Sequence, residues 1–534
     1  MIGKLLWEEF DRVAEAPDAI EQLRRFVLDL AVRGKLVEQR PEEGTAKELL
    51  ERLKDAAAVS KYRRASRANG RSSDVAAPFP IPHTWEWCTV ANVGAIVGGG
   101  TPPTSDPLNF APSGTGIAWV TPADLGSHAG PIISHGARDL SAIGMSKCAA
   151  TVMPKGTVLF SSRAPIGYVA ISSGPITTNQ GFRSVVPYLN GMSQYIALFL
   201  RAFRETIEAK ASGTTFREVS GKVMTTLPFP LPPLDEQERI TTKVAELMRL
   251  CDSLESARSS RESIRDTLRA ACLRRVRSNA GGGMAGDDET LDIVTNHYEK
   301  LITDPNHVGD LREMIRDLAV QGRLWRDPEN RVDISNWEST NIRELTSIVT
   351  SGSRGWSDYY ASSGAKFIRA QNVRFGRLLL DKLAFVDIPP QAEGSRTRLD
   401  RHDIVVVITG AGVTNPALVD LDLGEAYVSQ HIGLIKLKNK EFAPWVLLCL
   451  MAPASARGQL MARAYGAGKP GLNLTNIRTL DIPLPSLPEQ RRILERVNQL
   501  MGVCDALERD LRSARNSRLL LLRSLLRRAL DAPR

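Results

Sequence analysis

Apolar residues recur at alternating spacings of four and three at Ile240, Val244, Leu247, Cys251 and Leu254, with charged and polar residues between them. That period predicts a long helix with a narrow apolar seam of coiled-coil type. The seam returns at Ile493, Val497, Leu500, Cys504 and Leu507. It belongs to a longer repeat, Leu227 to Glu255 against Leu480 to Glu508, in which the offset never changes and more than half of the positions are identical. Pro230, Pro232 and Pro233 precede the first helix and Pro483, Pro485 and Pro488 the second, so both lead-ins are extended. Each helix is expected to begin at its Glu-Gln pair, with Ser486 and Glu489 forming a capping box and Asp235 capping alone. A helix from there to Arg275 is roughly 60 Å long, more than a domain core needs. Two such struts would pack most simply on each other, antiparallel.

A second repeat sets Leu23 to Leu36, LRRFVLDLAVRGKL, against Leu311 to Leu324, LREMIRDLAVQGRL. Val27, Leu30 and Ala31, or Ile315, Leu318 and Ala319, share one helical face, and Gly34 or Gly322 ends the helix. Residues Ala19 to Leu53 are expected to be helical. The Leu-rich end, Leu519 to Leu526, is too apolar for water and should close on the first strut or on a partner helix. Between the repeats lie inserts with short β-rich runs (Thr157 to Phe160, Tyr168 to Ile171, Ile404 to Ile408), turns of Gly, Pro and Asn, and helices at Ser193 to Ala209 and Ala443 to Met451. The fold class is therefore α+β: two mixed α/β inserts separated by two long antiparallel coiled-coil helices, with an internal pseudo-twofold repeat. The layout is an N-terminal helical region and linker over 1–78, a first insert over 79–233 and a central helix over 234–278. A linker with the repeated short helix follows over 279–333, then a second insert over 334–486 and a C-terminal helix over 487–534.

The 534 residues carry a net charge of +9 with a pI near 9.3, which favours an anionic partner. The six cysteines form neither a C-x-x-C pair nor a metal spacing, so they read as core residues in a reducing compartment, with no metal site. Residues 1–15 are too charged for a signal peptide and no apolar run is long enough to span a membrane, so the expectation is a cytoplasmic protein. Catalytic motifs are missing: Gly466, Gly468 and Lys469 lie in GAGKPG without phosphate-loop spacing, and Asp387-Ile388-Pro389-Pro390 only approaches an amino-methyltransferase element. No residue is therefore assigned to catalysis.

The chain resembles the specificity subunit of a Type I restriction-modification system. The resemblance rests on LDLAVRGKL from Leu28, DLAVQGRL from Asp317, Trp85-Glu86-Trp87, GGGTPPTSDP from Gly98, WVTPADLG from Trp119, SSRAPIGYVAI from Ser161 and TTNQGF from Thr177. VITGAGV from Val407, AYVSQHIGLIKL from Ala426 and both PLP-x-L-x-EQ-x-RI helix starts add to it. At the second opening Glu338 is followed by Ser339 where the pattern has an aromatic. The resemblance implies two target recognition domains, each reading one half of a split, asymmetric site on double-stranded DNA, and helices that space the halves and dock two methyltransferase subunits. It also implies motor-nuclease subunits for restriction, S-adenosylmethionine, ATP and Mg2+ on those partners, and no cofactor on this chain.

Base edges need paired donors and acceptors, and phosphates need Arg, Lys, hydroxyls or backbone N–H groups, so the polar turns are the candidates for DNA contact. In the first insert these are Thr101, Thr104, Ser105, Ser161, Ser162, Arg163, Thr177, Thr178, Asn179, Gln180 and Arg183. In the second they are Ser351, Ser353, Arg354, Arg369, Gln371, Asn372, Arg374, Thr409, Thr414, Asn415, Ser429, Gln430, His431 and Lys469. For any one of them turn chemistry is the competing role. Asn179-Gln180 and Ser429-Gln430 either read a base or orient their loop. A self-contained restriction enzyme would need the missing motifs, and a scaffold without sequence preference would leave two diverged inserts without a purpose.

Overall fold

The computed structural model describes residues 15–62, 77–128, 130–213, 217–278, 301–325, 332–352, 354–389, 394–464 and 471–531. The candidates Ser353 and Lys469, most of the linker before Phe79 and the Gly-rich stretch after Ser278 lie outside them. The chain forms two compact units, Met1–Arg258 with Ser517–Arg534, and Ser259–Asn516.

In the first unit the helix of the short repeat spans Ala19–Val32 and buries Phe26, Val27, Ala31 and Val32. Gly34 follows at φ +66°, and the Lys35 N–H donates to the Leu30 carbonyl at 2.8 Å, closing the helix end. A side chain at Gly34 would place its Cβ 2.5 Å from Pro82 Cγ. This glycine and Pro41 divide the expected helical region into Ala19–Val32 and Ala46–Val59.

The insert opens with strand Glu86–Thr89 and closes with strand Pro228–Leu231, paired antiparallel with Glu86 opposite Leu231. This ladder has two strands only, so Pro228 and Pro230, which lack an N–H, fit it. The main sheet runs Gly94–Gly98, Arg183–Pro187, Val158–Phe160, Val169–Ser172 and Ile132–Ile133, antiparallel except for its last pair. Alternate residues face opposite sides. Ile96, Val158, Phe160 and Val185 enter one core, and Ala95, Val97, Leu159 and Val186 enter another. Burial on both faces is why these strands read as continuous apolar runs. The expected helix over Ser193 to Ala209 is interrupted at Phe203, giving Ser193–Ala202 and Arg204–Ala209. Its Tyr195 and Phe199 rings meet Phe229 at centroid distances of 5.7 and 4.7 Å.

The first long helix, Leu234–Ser278, is fastened where it starts. The Trp85 indole N–H donates to Glu236 Oε2 at 3.0 Å, and Gln237 Nε2 donates to the Pro232 carbonyl at 3.0 Å. Asp235 lies inside the first turn, so it is not the cap that the sequence suggested. Further along, Arg24 of the short helix reaches Asp252 at 2.5 Å and Glu255 at 2.8 Å. Ile240 and Val244 join the core that holds Val27 and Ala31, Leu247 packs at its edge, Cys251 is buried and Leu254 is 40% exposed. The Leu-rich end of the second long helix, Leu487–Asp531, sets Leu522, Leu525, Leu526 and Ala529 on Ala16, Ala19 and Phe26. The short helix is thus what covers that apolar end.

The second unit repeats these fastenings with the equivalent residues. Its short helix, Val308–Val320, ends at Gly322, φ +69°, with the Arg323 N–H donating to the Leu318 carbonyl at 2.8 Å. Strand Glu338–Asn341 pairs with Asp481–Leu484, again with the glutamate opposite a leucine. The Trp337 indole donates to Glu489 Oε2 at 2.9 Å, Gln490 Nε2 to the Pro485 carbonyl at 2.7 Å, and Arg312 meets Asp505 at 2.6 Å and Glu508 at 2.8 Å. Glu489 therefore has an indole on the carboxylate that was expected in a capping box. Ile493, Val497 and Cys504 enter the core with Ile315 and Ala319, and Leu500 and Leu507 flank it. Thr346–Ser351, Ile432–Leu437, Ile404–Val407 and Pro416–Leu418 form one antiparallel sheet. A second sheet contains the parallel pair Ala365–Ile368 and Ala426–Val428. The expected helix Ala443–Met451 is present with those bounds.

Candidate nucleic-acid interface

Three loops of the first insert meet where the strand Gly94–Gly98 ends and the strand Arg183–Pro187 begins. The Gly100 N–H donates to the Thr178 carbonyl at 2.9 Å, and the Trp119 indole donates to the Gly100 carbonyl at 3.1 Å. The Ser162 N–H donates to the Gly181 carbonyl at 2.7 Å, and the Val219 N–H to the Ser162 carbonyl at 2.9 Å. The loop after Gly98 lies so close to the next strand end that a Cβ on Gly99 would stand 2.0 Å from the Asn179 carbonyl oxygen. The second insert builds the same junction: a Cβ on Gly352 would stand 2.0 Å from the Val428 carbonyl oxygen. There the Ile408 N–H donates to the His431 carbonyl at 2.9 Å and the Leu472 N–H to the Ile408 carbonyl at 2.8 Å.

The candidates divide by burial. Thr104, Ser105 and Gln180 are exposed, and Thr101 bonds to Gln180 across two of the loops. Arg163 and Arg183 are half-buried beside Glu218, at 3.7 and 2.7 Å. In the second insert Arg354, Gln371, Arg374 and His431 are exposed, and Ser351, Arg369, Thr409, Asn415 and Gln430 are half-buried.

The fold turns the side chains of the remaining candidates inward. Ser161 Oγ donates to the Pro165 carbonyl and accepts from the Tyr168 N–H, both at 2.8 Å. Thr177 Oγ1 donates to the Ala118 carbonyl at 2.8 Å. Asn372 holds its loop by accepting from the Arg369 N–H at 3.1 Å and donating to the Leu379 and Lys382 carbonyls. Ser162, Thr178, Thr414 and Ser429 are buried too. A polar residue at a strand end looks the same in a sequence whether it faces out or pins the next turn. Asn179 does the pinning, accepting from the Gly181 N–H at 2.9 Å, and leaves Gln180 outward. Glu218 gave no signal at all, since it stands in no motif and matters only through the two arginines folded onto it.

Other chemistry is sparse among the described residues. Burial pushes the Cys449 thiol up to about 12 and the Cys88 thiol well above its ordinary range, which makes neither a nucleophile. Glu262, Asp266 and His307 come together as metal-ligand types. The Arg269 guanidinium, however, already contacts Asp266 and lies 3.9 Å from Glu262, so both carboxylates are held in an ion-pair network. No described helix is long and apolar enough to cross a membrane.

A family model described as the Type I restriction modification DNA specificity domain matches residues 82–261 and again 335–514. The specificity subunit of the Type I restriction enzyme MjaIX of Methanocaldococcus jannaschii is 36% identical over 164 residues, taking in 30% of this chain and 37% of that protein. The EcoEI specificity subunit of Escherichia coli is 23% identical over 96% of this chain and 94% of its own length. Among solved structures, the HsdS subunit from Thermoanaerobacter tengcongensis aligns over 85% of this chain and 98% of its own, with 16% identity and a TM-score of 0.44. Each of the two family matches starts just before an opening strand and ends inside a long helix. Because those two matches together take in more than half of the chain, it belongs to the Type I restriction modification DNA specificity family.

Proposed function

We propose that this chain is the reading subunit of a Type I restriction-modification complex in the cytoplasm. Each recognition domain reads one half of a bipartite, asymmetric duplex site, and the long helices set the number of unread base pairs and dock two methyltransferase subunits that methylate adenine. Motor-nuclease subunits join for restriction. In this reading the chain performs no chemistry itself, and S-adenosylmethionine, ATP and Mg2+ are held by its partners.

The observation that carries the reading is a frame built twice with the same fastenings, Trp85–Glu236 and Trp337–Glu489, Arg24–Asp252 and Arg312–Asp505, around loops of unlike chemistry. A repeated frame supplies one mechanical task twice, and unlike loops supply two different base patterns. The surplus of Lys and Arg suits a polyanion.

The test is methyl transfer with the purified components. The chain together with its methyltransferase subunits and S-adenosylmethionine should label adenine within one duplex sequence, and the chain alone should label nothing. Removing one heptad from the second long helix should change the gap between the half-sites or abolish labelling. Methyl transfer by the chain alone, or labelling without sequence preference by the complete mixture, would refute the reading.

A further inference from the structure

We infer that Glu218 occupies, in the free protein, the place of a DNA backbone phosphate between Arg163 and Arg183. The inference rests on the DNA-reading function proposed above and adds a site within the first recognition domain. Two guanidiniums share one carboxylate, Arg183 at 2.7 Å on Oε1 and Arg163 at 3.7 Å on Oε2. An anion with several acceptor oxygens held by two guanidiniums is the arrangement a phosphate takes.

The three side chains retain 34%, 23% and 31% exposure for Arg163, Arg183 and Glu218, so the cluster reaches solvent and its ion pairs cost little to open. The ion pairs are also unnecessary to hold the loops in place. The Glu218 main chain exchanges hydrogen bonds with Ser212 at 3.1 and 2.9 Å, and its neighbour Val219 is bonded to Ser162. Arg183 keeps its guanidinium oriented through the Phe182 carbonyl at 2.8 Å while its other nitrogen remains available for exchange.

The second recognition domain shows that this cluster is no part of the common frame. Gly433 stands opposite Ser351 as Arg183 stands opposite Gly98. The Leu472 N–H meets the Ile408 carbonyl as the Val219 N–H meets that of Ser162, which puts Gly471 at the place of Glu218 and Thr409 at the place of Arg163. All three charges are missing there. The cluster is a property of the first reader, set among the loops that approach the duplex. On binding, both guanidiniums pass from the carboxylate to a phosphate and Glu218 swings into solvent. Glu218 thereby keeps the arginines neutralised against unrelated anions.

The experiment uses the full chain with its methyltransferase subunits and measures binding to two duplexes over a salt series. One duplex carries the sequence recovered from methylation mapping and the other a scrambled sequence. Glu218→Gln should tighten binding to both by about two- to tenfold and steepen the log–log salt slope by about one, with base preference unchanged. Arg183→Ala and Arg163→Ala should weaken both to similar degrees, which keeps the test decisive if Glu218→Gln does not fold. Weaker or unchanged binding by a folded Glu218→Gln would overturn the inference. So would a changed base preference at the first half-site, which would make Glu218 a base contact. A wild-type complex without sequence preference would instead refute the function on which the inference rests.

Discussion

Gly99→Ala is expected to abolish preference at one half of the recognised site and leave preference at the other half intact. The added Cβ would stand 2.0 and 2.2 Å from the carbonyl oxygens of Asn179 and Thr178, which are main-chain atoms of a paired strand end and cannot rotate aside as a side chain would. The loop after Gly98 must lift, and the Gly100–Thr178 hydrogen bond of 2.9 Å is lost with it. Overpacking of this kind costs about 1–3 kcal/mol, and here the distortion falls on the loops that carry Thr101, Thr104, Ser105 and Gln180. A dissociation constant raised about 10- to 100-fold for the recognised duplex, with little change for a scrambled one, is the expected magnitude. Gly352→Ala should do the same to the other half-site, because its Cβ would meet the Val428 carbonyl oxygen at 2.0 Å. Competition binding with duplexes altered in one half at a time gives the readout. Preference retained at both halves by either variant would remove the glycine junctions from the account.

The second large effect belongs to the frame. Trp85→Phe retains an aromatic ring in the core and deletes the N–H that serves a buried carboxylate, Glu236 Oε2 at 3.0 Å. Burial raises the Glu236 pKa, opposed by the hydrogen bonds from Trp85 and Gln39. With the folded pKa above the unfolded one, the folded state holds its proton to higher pH, and ionisation costs stability as pH rises from the unfolded pKa through the folded pKa. The indole N–H limits that cost. Its loss should therefore destabilise the first unit by about 2–3 kcal/mol at pH 7 and by about 1 kcal/mol below pH 4, where the carboxyl is neutral. Thermal melting at the two pH values checks this, and an equal loss at both would mean that packing alone is affected.

Much of the frame could be read from the sequence because its period and its punctuation agree. The seam of the long helices, the glycines that end the short helices and the prolines before each Glu-Gln pair are local signals, and each appears twice. What could not be read was pairing at a distance. Arg24 and Asp252 are both repeated residues, yet only the fold shows that one repeat grips the other. Nor did the seam reveal that Ile240 and Val244 face the core of their own unit.

In the polar loops the segments could be read from the sequence, but not which of their side chains the fold exposes. Ser161, Thr177 and Asn372 have the composition of contact residues and use it inward, because a strand end must satisfy its neighbour's main chain. Gln180 comes soon after Thr177, His431 soon after the buried Ser429, and both face out. Alternation at a strand end gives no sign of which residue a turn will bury.

The most direct measurement is a map of methylated adenines in the genome of the host with and without this gene. The expected result is one split sequence, two unlike defined halves around a fixed run of unread bases, methylated throughout when the gene is present and unmethylated when it is deleted. A methylation pattern that survives the deletion, or a lost motif that is continuous or has identical halves, would contradict it.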